Sequence, residues 1–343
     1  NAALQWINRA LIKAKPEFHR KTFLKPLHRS PEFCGTCHKV ALPEALNGYR
    51  WLRGQNHYDS FLLSGVSGHS TQSFYYPEQA EANCNGCHMP ARVSDDFGAR
   101  QIDDSGELQI HDHQFPSANT AIPWLLGMPE SVIEAHREFL EGSLRLDIVG
   151  LKQGGDVDGV LHAPLRPQVP ELVPGDSYLL ETVLRTLTLG HLFTQGTADS
   201  NQIWVDVTIY SGDTLIGRSG AMEPEQGRVD PWSHFVNAWV IDRDGNRIDR
   251  RNAEDIFTTL YNNQIPPGAA DVVHYRFVVP EWVTEPVVVR AQLKYRKFDT
   301  TFMAYFQGED FVRNDLPVVV IAADEIVFPV LGGAALLEQL APD

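Results

Sequence analysis

All four cysteines of this 343-residue chain stand in two copies of one pattern, Cys-x-x-Cys-His. The copies consist of Cys34, Cys37 and His38, and of Cys84, Cys87 and His88. A thiol pair at this spacing followed at once by histidine is the attachment signature of c-type haem. On a short helical turn the two thiols reach the two vinyl groups of one porphyrin edge, and the adjacent imidazole reaches the iron. The pattern therefore predicts two covalently bound haem c groups.

Two other chemistries use paired cysteines. Two Cys-x-x-Cys pairs can hold a tetrahedral zinc ion through four thiolates, and a single pair can act as a redox dithiol. Neither requires a histidine directly after the second cysteine, and here both copies have one. Haem is therefore favoured over both alternatives. Because haem of this kind is attached outside the cytoplasm, we expect a periplasmic or extracellular protein.

The charge of the chain limits the classes of partner that it can bind. Its formal net charge is −15, whereas nucleic-acid-binding proteins present basic patches. No apolar run reaches the roughly 18 residues of a membrane helix. We expect no nucleic acid and no membrane span, and a partner that could be cationic. The chain starts at Asn1 without a signal-peptide pattern, so we expect either a mature exported protein or part of a longer one.

Residues 1–128 are irregular and rich in turns, which is typical of protein wrapped around haem. We expect a mostly helical and loop dihaem cytochrome c domain here. Its aromatic side chains are expected to pack on haem, although an ordinary aromatic core would use the same residues. These aromatic residues are Trp51, Tyr58, Phe61, Phe74, Tyr75 and Tyr76.

The rest of the chain changes its pattern. Residues 129–142 begin with proline, carry apolar residues at helical spacing and end with glycine, which predicts a connecting helix. Residues 143–330 alternate apolar and polar residues in seven or eight segments separated by turn signals. This period of two predicts an antiparallel β-sandwich of the immunoglobulin-like type. Residues 331–343 are expected to form a C-terminal tail.

Several segments resemble multihaem c-type cytochromes, in particular the large bacterial ones with a β-rich C-terminal domain. The resemblance covers residues 15–330 approximately and lies in FCGTCHKV, YRWLRGQNHYDSF, NCNGCHMP, DHQFPSANTAIP, GHLFTQGTADSNQIW and LKYRKFDTTFM. Members of that family typically carry more haems, often upstream of the position of Cys34. The resemblance therefore implies that this chain is a C-terminal part, or that another subunit carries further haems.

The resemblance also implies which histidines complete the coordination of each iron. His113 lies in a His-x-Phe segment and His191 in a Gly-His-x-Phe segment, both of which supply distal ligands in such cytochromes. His19, before the first motif, is a third candidate. Weaker candidates lie beside these or between the motifs: His28, His57, His69, His111 and His234. Ligation of each iron by two histidines is the expected state.

These features favour electron transfer over catalysis, because an iron with two protein ligands has no open position for a substrate. The chain would act as a subunit or segment of a larger multihaem assembly, with other cytochromes or redox subunits as partners and with haem contacts between chains. The alternative is an enzyme in which one open haem acts on a small nitrogen or sulfur compound. No Cys-x-x-Cys-Lys motif or other catalytic constellation supports that alternative.

Overall fold

The fold is given by a computed structural model, which describes residues 1–47, 53–74, 77–96, 98–196 and 198–333. Its helices are α1 (Ala2–Ala14), α2 (Pro16–Phe23), α3 (Pro31–His38), α4 (Glu44–Asn47), α5 (His57–Leu63), α6 (Asn85–His88), α7 (Ala121–Leu125), α8 (Glu130–Leu140) and α9 (Thr300–Gln307). None of the helices in these ranges is long and apolar enough to cross a membrane. Most of the expected tail, residues 334–343, lies outside the described residues.

The strands alternate with these helices in the first part of the chain and dominate the second. They are β1 (Lys39–Ala41), β2 (Arg53–Asn56), β3 (Ala91–Val93), β4 (Gln109–His111), β5 (Leu144–Gln153), β6 (Leu161–His162), β7 (Ser177–Thr186), β8 (Gln202–Ser211), β9 (Thr214–Ser219), β10 (Ala238–Ile241), β11 (Thr258–Asn262), β12 (Ala270–Val278), β13 (Val287–Arg296) and β14 (Val319–Phe328).

The predicted fold class, which made the haem part mostly helix and loop, is wrong. Helix accounts for 27% of the chain and strand for 30%. Two antiparallel sheets of two strands lie within residues 1–128, where β1 pairs with β2 and β3 pairs with β4. Strands of three or four residues pair through their backbones, so they leave no alternating pattern long enough to be recognised in the sequence.

Most of the remaining strands form two four-stranded antiparallel sheets. Their strand orders are β12-β7-β5-β6 and β14-β13-β8-β9. Both sheets send apolar side chains into one common core, the arrangement of a β-sandwich. On β13 the alternation is strict, because the inward-facing residues from Val287 to Tyr295 are fully buried while Arg290 between them is exposed. β10 and β11 form a separate two-stranded ribbon.

One buried carboxylate ties strands of the second sheet together. Asp206 of β8 is 5% exposed. It forms an ion pair with Arg218 of β9, and its Oδ2 lies 2.6 Å from the Nζ of Lys294 on β13. Burial alone would raise the pKa of Asp206, but the hydrogen bonds from Arg218 and Lys294 outweigh burial and lower the pKa below its ordinary value. The carboxylate is therefore charged and stabilising at neutral pH.

The helix α8 joins the two parts of the chain. It begins after Pro129, and its inward face buries His136 and Leu140. Leu140 belongs to the core of the sandwich. His136 contacts the segment before α7, so the same helix touches both the sheets and the first part of the chain.

Candidate haem-binding site

Each Cys-x-x-Cys-His motif is carried by a short helix that ends at its histidine. Haem attachment needs such a helical turn to bring both thiols to one porphyrin edge. α3 ends at His38 and α6 ends at His88, and all four thiols are free of disulfides. The glycine of the first motif is needed because the ring of Tyr58 lies against the helix, where a Cβ on Gly35 would come within 2.9 Å of Tyr58 Cδ2. Burial, followed by the neighbouring Cys34, raises the pKa of Cys84 to about 12. The first cysteines of the two motifs are therefore neighbours.

Four imidazoles cluster where the motifs meet the β-rich part of the chain. The His57 ring lies 5.0 Å from that of His38 and 5.2 Å from that of His191, measured between ring centroids. The ring of His191 lies nearly parallel to that of His88, at 6.2 Å and 8°. The cluster thus combines both motif histidines with two from elsewhere, the number that two irons with two histidine ligands each require.

Two of these imidazoles are oriented through one ring nitrogen. His88 Nδ1 lies 2.8 Å from the Pro116 carbonyl oxygen, and His191 Nδ1 lies 3.0 Å from the Leu192 carbonyl oxygen. An Nδ1–H that donates to a carbonyl fixes the tautomer and leaves the Nε2 lone pair for a metal. Each ring therefore has a fixed tautomer and an Nε2 atom that could bind a metal.

The loop that carries His191 is anchored on both sides of this residue by α5 and by the residue that follows it. Ser60 Oγ accepts a hydrogen bond from the Leu192 amide at 2.9 Å, and Ser64 Oγ lies 3.0 Å from the Gly190 carbonyl oxygen. Ser60 lies within α5, and Ser64 is the residue that directly follows its last residue, Leu63. Asn56 caps this helix by accepting from the Asp59 amide, and His57 is its first residue. One short helix therefore contributes His57 and holds His191.

Burial keeps three imidazoles of the cluster neutral, those of His57, His88 and His191. Burial lowers the pKa of His57 to about 3, and repulsion from His191 and His38 adds to the shift. Burial also lowers the pKa of His191 to about 4, although the bond to the Leu192 carbonyl opposes this shift. The pKa of His88 is lowered mainly by burial as well. Neutral imidazole is the form that binds metals.

Two of the histidines predicted as ligands lie elsewhere. His113 is exposed, and its Nδ1 lies 3.0 Å from the His111 carbonyl oxygen. His19 is on α2, with its ring 4.8 Å from that of Phe23. Neither contacts the cluster of four within the described ranges, and their ligation stays a prediction.

The weaker candidates have other neighbours too. His28 contacts Phe33, at 5.0 Å between rings, and His234 Nε2 lies 3.0 Å from an Asp271 carboxylate oxygen. His111 Nδ1 lies 2.7 Å from the Met89 carbonyl oxygen, directly after the second motif. His111 therefore lies close to the second motif without joining the four rings.

Few apolar side chains are buried among the residues that the structure describes in the first part of the chain. Within its described residues the buried apolar side chains are Phe61, Val66, Ala99 and Ala121. Large apolar side chains are exposed there, including Trp6 and Phe18, each at 71%, and Phe74 at 89%. A domain of this size needs a large buried apolar surface. The faces of two porphyrins would provide one, so the residues present fit the group that the motifs imply.

The expected aromatic packing can be followed at three positions. Phe61 is buried beneath the His191 loop, 3.5 Å from the position of a Cβ on Gly190. Tyr58 lies against the first motif helix and donates to Glu32 at 3.1 Å, while Phe74 is exposed. Trp51, Tyr75 and Tyr76 lie outside the described residues.

The described residues contain no group of three or more His, Cys, Asp or Glu side chains that could hold a metal ion. Haem differs in this respect, because the porphyrin itself supplies four nitrogen ligands and the protein adds one or two.

Sequence reasoning did not single out Ser60, Ser64, His136 or Tyr295. Serines on an amphipathic helix and a tyrosine on a strand are ordinary residues, and nothing in the sequence says what they touch. The Ser-x-x-x-Ser spacing of Ser60 and Ser64, so close to the first motif, was the one available signal.

Comparison with known proteins gives a similarity of fold. No protein-family model and no characterised protein sequence matches the chain. It is similar to a penta-haem cytochrome c552 from Thermochromatium tepidum, with 16% identity, a TM-score of 0.50, and coverage of 87% of this chain and 56% of that one. The chain therefore spans little more than half the length of that cytochrome, and at this identity the likeness concerns the fold alone.

Two other solved structures have much lower scores. One is the alkylpurine DNA glycosylase AlkC from Pseudomonas fluorescens bound to DNA containing an abasic site analogue, with a TM-score of 0.19, 9% identity, and coverage of 63% of this chain and 34% of that one. The other is the CARDB domain of PF1109 from Pyrococcus furiosus, with a TM-score of 0.18, 8% identity, and coverage of 55% and 94%. Neither similarity bears on the site.

Proposed function

We propose that this chain transfers electrons through two covalently bound haem c groups. The observation that carries the proposal is the meeting of both Cys-x-x-Cys-His motifs with two further histidines at one place in the fold. The fold shared with a penta-haem cytochrome supports it, as does the scarcity of buried apolar side chains around the motifs.

Each motif would hold one group through its two cysteines and its histidine, namely Cys34, Cys37 and His38, and Cys84, Cys87 and His88. His57 and His191 are proposed as the distal ligands, because they lie among the motif imidazoles. When bound, such a group supplies a one-electron iron couple whose potential depends on ligands and burial.

The work of the chain is to hold these imidazoles in place. The carbonyls of Pro116 and Leu192 accept from His88 and His191 and fix their orientation. Ser60 and Ser64 hold the His191 loop against α5. Two histidines outside the motifs lie among the motif imidazoles, which favours a closed coordination sphere over an open one.

The proposal also covers the cellular location of the chain and its partners. We propose an exported protein that works beside other cytochromes or redox subunits, since the chain spans 56% of a cytochrome with five haems. Its net charge of −15 suits a partner with a basic docking surface.

The test is to express the chain with a c-type haem attachment system and to measure its intact mass and visible spectrum. We expect a mass increase of two haem groups and a Soret band. Replacing Cys34 and Cys37 by serine should remove one group and leave the other, and replacing Cys84 and Cys87 should do the converse. A chain of unchanged mass without a Soret band would refute the proposal.

The distal ligands require a separate measurement. His57→Ala and His191→Ala should each convert one of the two irons from low spin to high spin in electron paramagnetic resonance, whereas His28→Ala, on an exposed turn, should convert neither. If the unmodified protein already holds a high-spin iron that binds cyanide or nitrite, the enzyme with one open site would replace the electron carrier as the better account.

A further inference from the structure

The segment Pro116-Ser117-Ala118 is held by side chains from three different parts of the chain. Its first residue is bonded to His88 of the second motif, at 2.8 Å from Nδ1 to the Pro116 carbonyl oxygen. Its last residue accepts a hydrogen bond from Tyr295 of β13, at 2.5 Å from Oη to the Ala118 carbonyl oxygen. The segment therefore connects the ring of a motif histidine to the second sheet of the sandwich.

The middle of the segment is held by α8. His136 Nδ1 lies 3.0 Å from the Ser117 amide nitrogen and 2.9 Å from the Ser117 carbonyl oxygen, so it accepts from the one or donates to the other. Phe139 of the same helix places its ring 5.2 Å from that of His88. With one contact at each of three successive residues, the Pro116 carbonyl has little freedom to move.

Tyr295 is suited to a permanent anchor. It is fully buried at the inner face of β13, and its ring lies 5.7 Å from that of Phe193. Burial raises the pKa of Tyr295 above its ordinary value, so the hydroxyl stays protonated and remains a donor at every physiological pH.

We propose that Tyr295 is a positioning residue for His88, acting through the Pro116–Ala118 segment. This inference rests on the proposed function, in which His88 is an axial ligand. A carbonyl that accepts from the free nitrogen of a metal-bound imidazole raises the basicity of that ligand and so stabilises the higher oxidation state of the metal. By holding the segment, the β13 tyrosine would keep the Pro116 carbonyl in reach and hold the potential of that iron low.

The test compares two tyrosine-to-phenylalanine variants of the haem-loaded chain. Tyr295→Phe removes the anchor. Tyr178→Phe is the matched control, because Tyr178 is also buried and its hydroxyl also serves one backbone group, accepting from the Val173 amide at 2.7 Å in the other sheet. Both variants remove one hydroxyl from the sandwich, but only the first touches the segment bonded to His88.

Two readouts separate positioning from a merely structural role. In a spectroelectrochemical titration we expect Tyr295→Phe to shift one of the two midpoint potentials upward and to leave the other in place, while Tyr178→Phe shifts neither. In hydrogen–deuterium exchange we expect faster exchange over residues 114–120 in Tyr295→Phe alone. His136→Gln disturbs the same segment from α8 and should shift the same midpoint potential upward. This second variant tests the proposal even if Tyr295→Phe does not fold.

The inference is overturned if folded Tyr295→Phe and His136→Gln keep both potentials of the unmodified chain, or if Tyr178→Phe shifts them equally. These results would leave the haem assignment intact. A chain that carries no covalent haem at all refutes the proposed function instead, and the mass measurement made before the titration tells the two failures apart.

Discussion

Replacing Ser60 by alanine tests whether α5 holds the His191 loop in place. The substitution removes the acceptor of the 2.9 Å hydrogen bond from the Leu192 amide and leaves that partly buried N–H without its partner. An orphaned buried donor costs about 1–3 kcal/mol. Because Leu192 is only partly buried, we take the middle of the range, about 2 kcal/mol, which is roughly a 30-fold increase in the population of the detached loop.

The assay follows the detached loop in two ways. Cyanide should bind to the iron opposite His191 roughly 30-fold faster in Ser60→Ala than in the unmodified chain, because the sixth position opens only when the loop detaches. Hydrogen–deuterium exchange over residues 190–194 should increase by a similar factor. Ser60→Thr keeps a hydroxyl and should restore most of the protection.

Ser67→Ala is the control for the general effect of losing a serine near α5. Ser67 Oγ lies 3.0 Å from the Leu62 carbonyl oxygen and accepts from the His69 amide, so its hydrogen bonds are local and do not involve the Leu192 amide. If Ser60→Ala and Ser67→Ala change cyanide binding and exchange equally, the bond to Leu192 has no special role and the reasoning fails. An effect on exchange without an effect on cyanide binding would show instead that His191 is not an axial ligand.

The remaining predictions concern the sandwich. Asp206→Asn should lower the free energy of unfolding by about 3 kcal/mol in chemical denaturation, because two cations lose their buried anion, while Asp147→Asn, which breaks an exposed pair, should cost less than about 1 kcal/mol. Since the pKa of Asp206 is lowered in the folded state, its contribution is complete above the unfolded pKa of about 3.9 and lost as pH falls through the folded value, so Asp206→Asn should flatten the acid side of the stability profile. Leu293→Ala should cost about 2–5 kcal/mol by leaving a cavity in the core. Gly220→Ala should also destabilise, because φ is +80° and a Cβ would lie 2.3 Å from the Val205 carbonyl oxygen, and thermal melting would detect it.

The longer strands could be predicted because each buries one face. The alternating segments beginning near Ser143, Ser177 and Gln202 coincide with β5, β7 and β8. β14 also lies in the region predicted as a sandwich, but its own alternation is hard to recognise because Asp324 and Glu325 interrupt the apolar residues. In the fold Asp324 accepts from the Ile148 amide at 2.7 Å, so a neighbouring strand satisfies the charge that hid the pattern.

The segment around Trp239 shows the opposite error. It lies within residues 143–330, where alternation predicted strands of the sandwich, but β10 pairs with β11 in a separate ribbon instead. The ring of Trp239 stacks on Tyr261 and lies beneath the Arg247 guanidinium, 4.2 Å from its centroid. An alternation of apolar and polar residues indicates that one face of a strand is buried, but it does not indicate which element packs on that face.

The candidate site also has residues that could be predicted from the sequence and residues that could not. The motif residues could be named from the sequence, since covalent attachment fixes their spacing within five residues. A distal ligand has no such constraint, because it reaches the iron through the tertiary fold. His191 and His113 were equally reasonable by local pattern, yet only His191 lies in the cluster, together with His57, which its loop position had made a weak candidate.

The position of the two proposed distal ligands suggests why a β-sandwich accompanies the haem motifs. His57 begins a helix in the part of the chain that has few buried apolar side chains, whereas His191 follows β7 of the rigid sandwich. Ligands held by rigid elements move less when a metal changes its charge, and the supporting contacts set how precisely they are held. Tyr295 reaches from the same sandwich toward the segment bonded to His88. The β part therefore supports His191 directly and His88 through the Pro116–Ala118 segment, and variants in its core that loosen β13 should disturb the group proposed at Cys84 and Cys87 before they disturb the one proposed at Cys34 and Cys37.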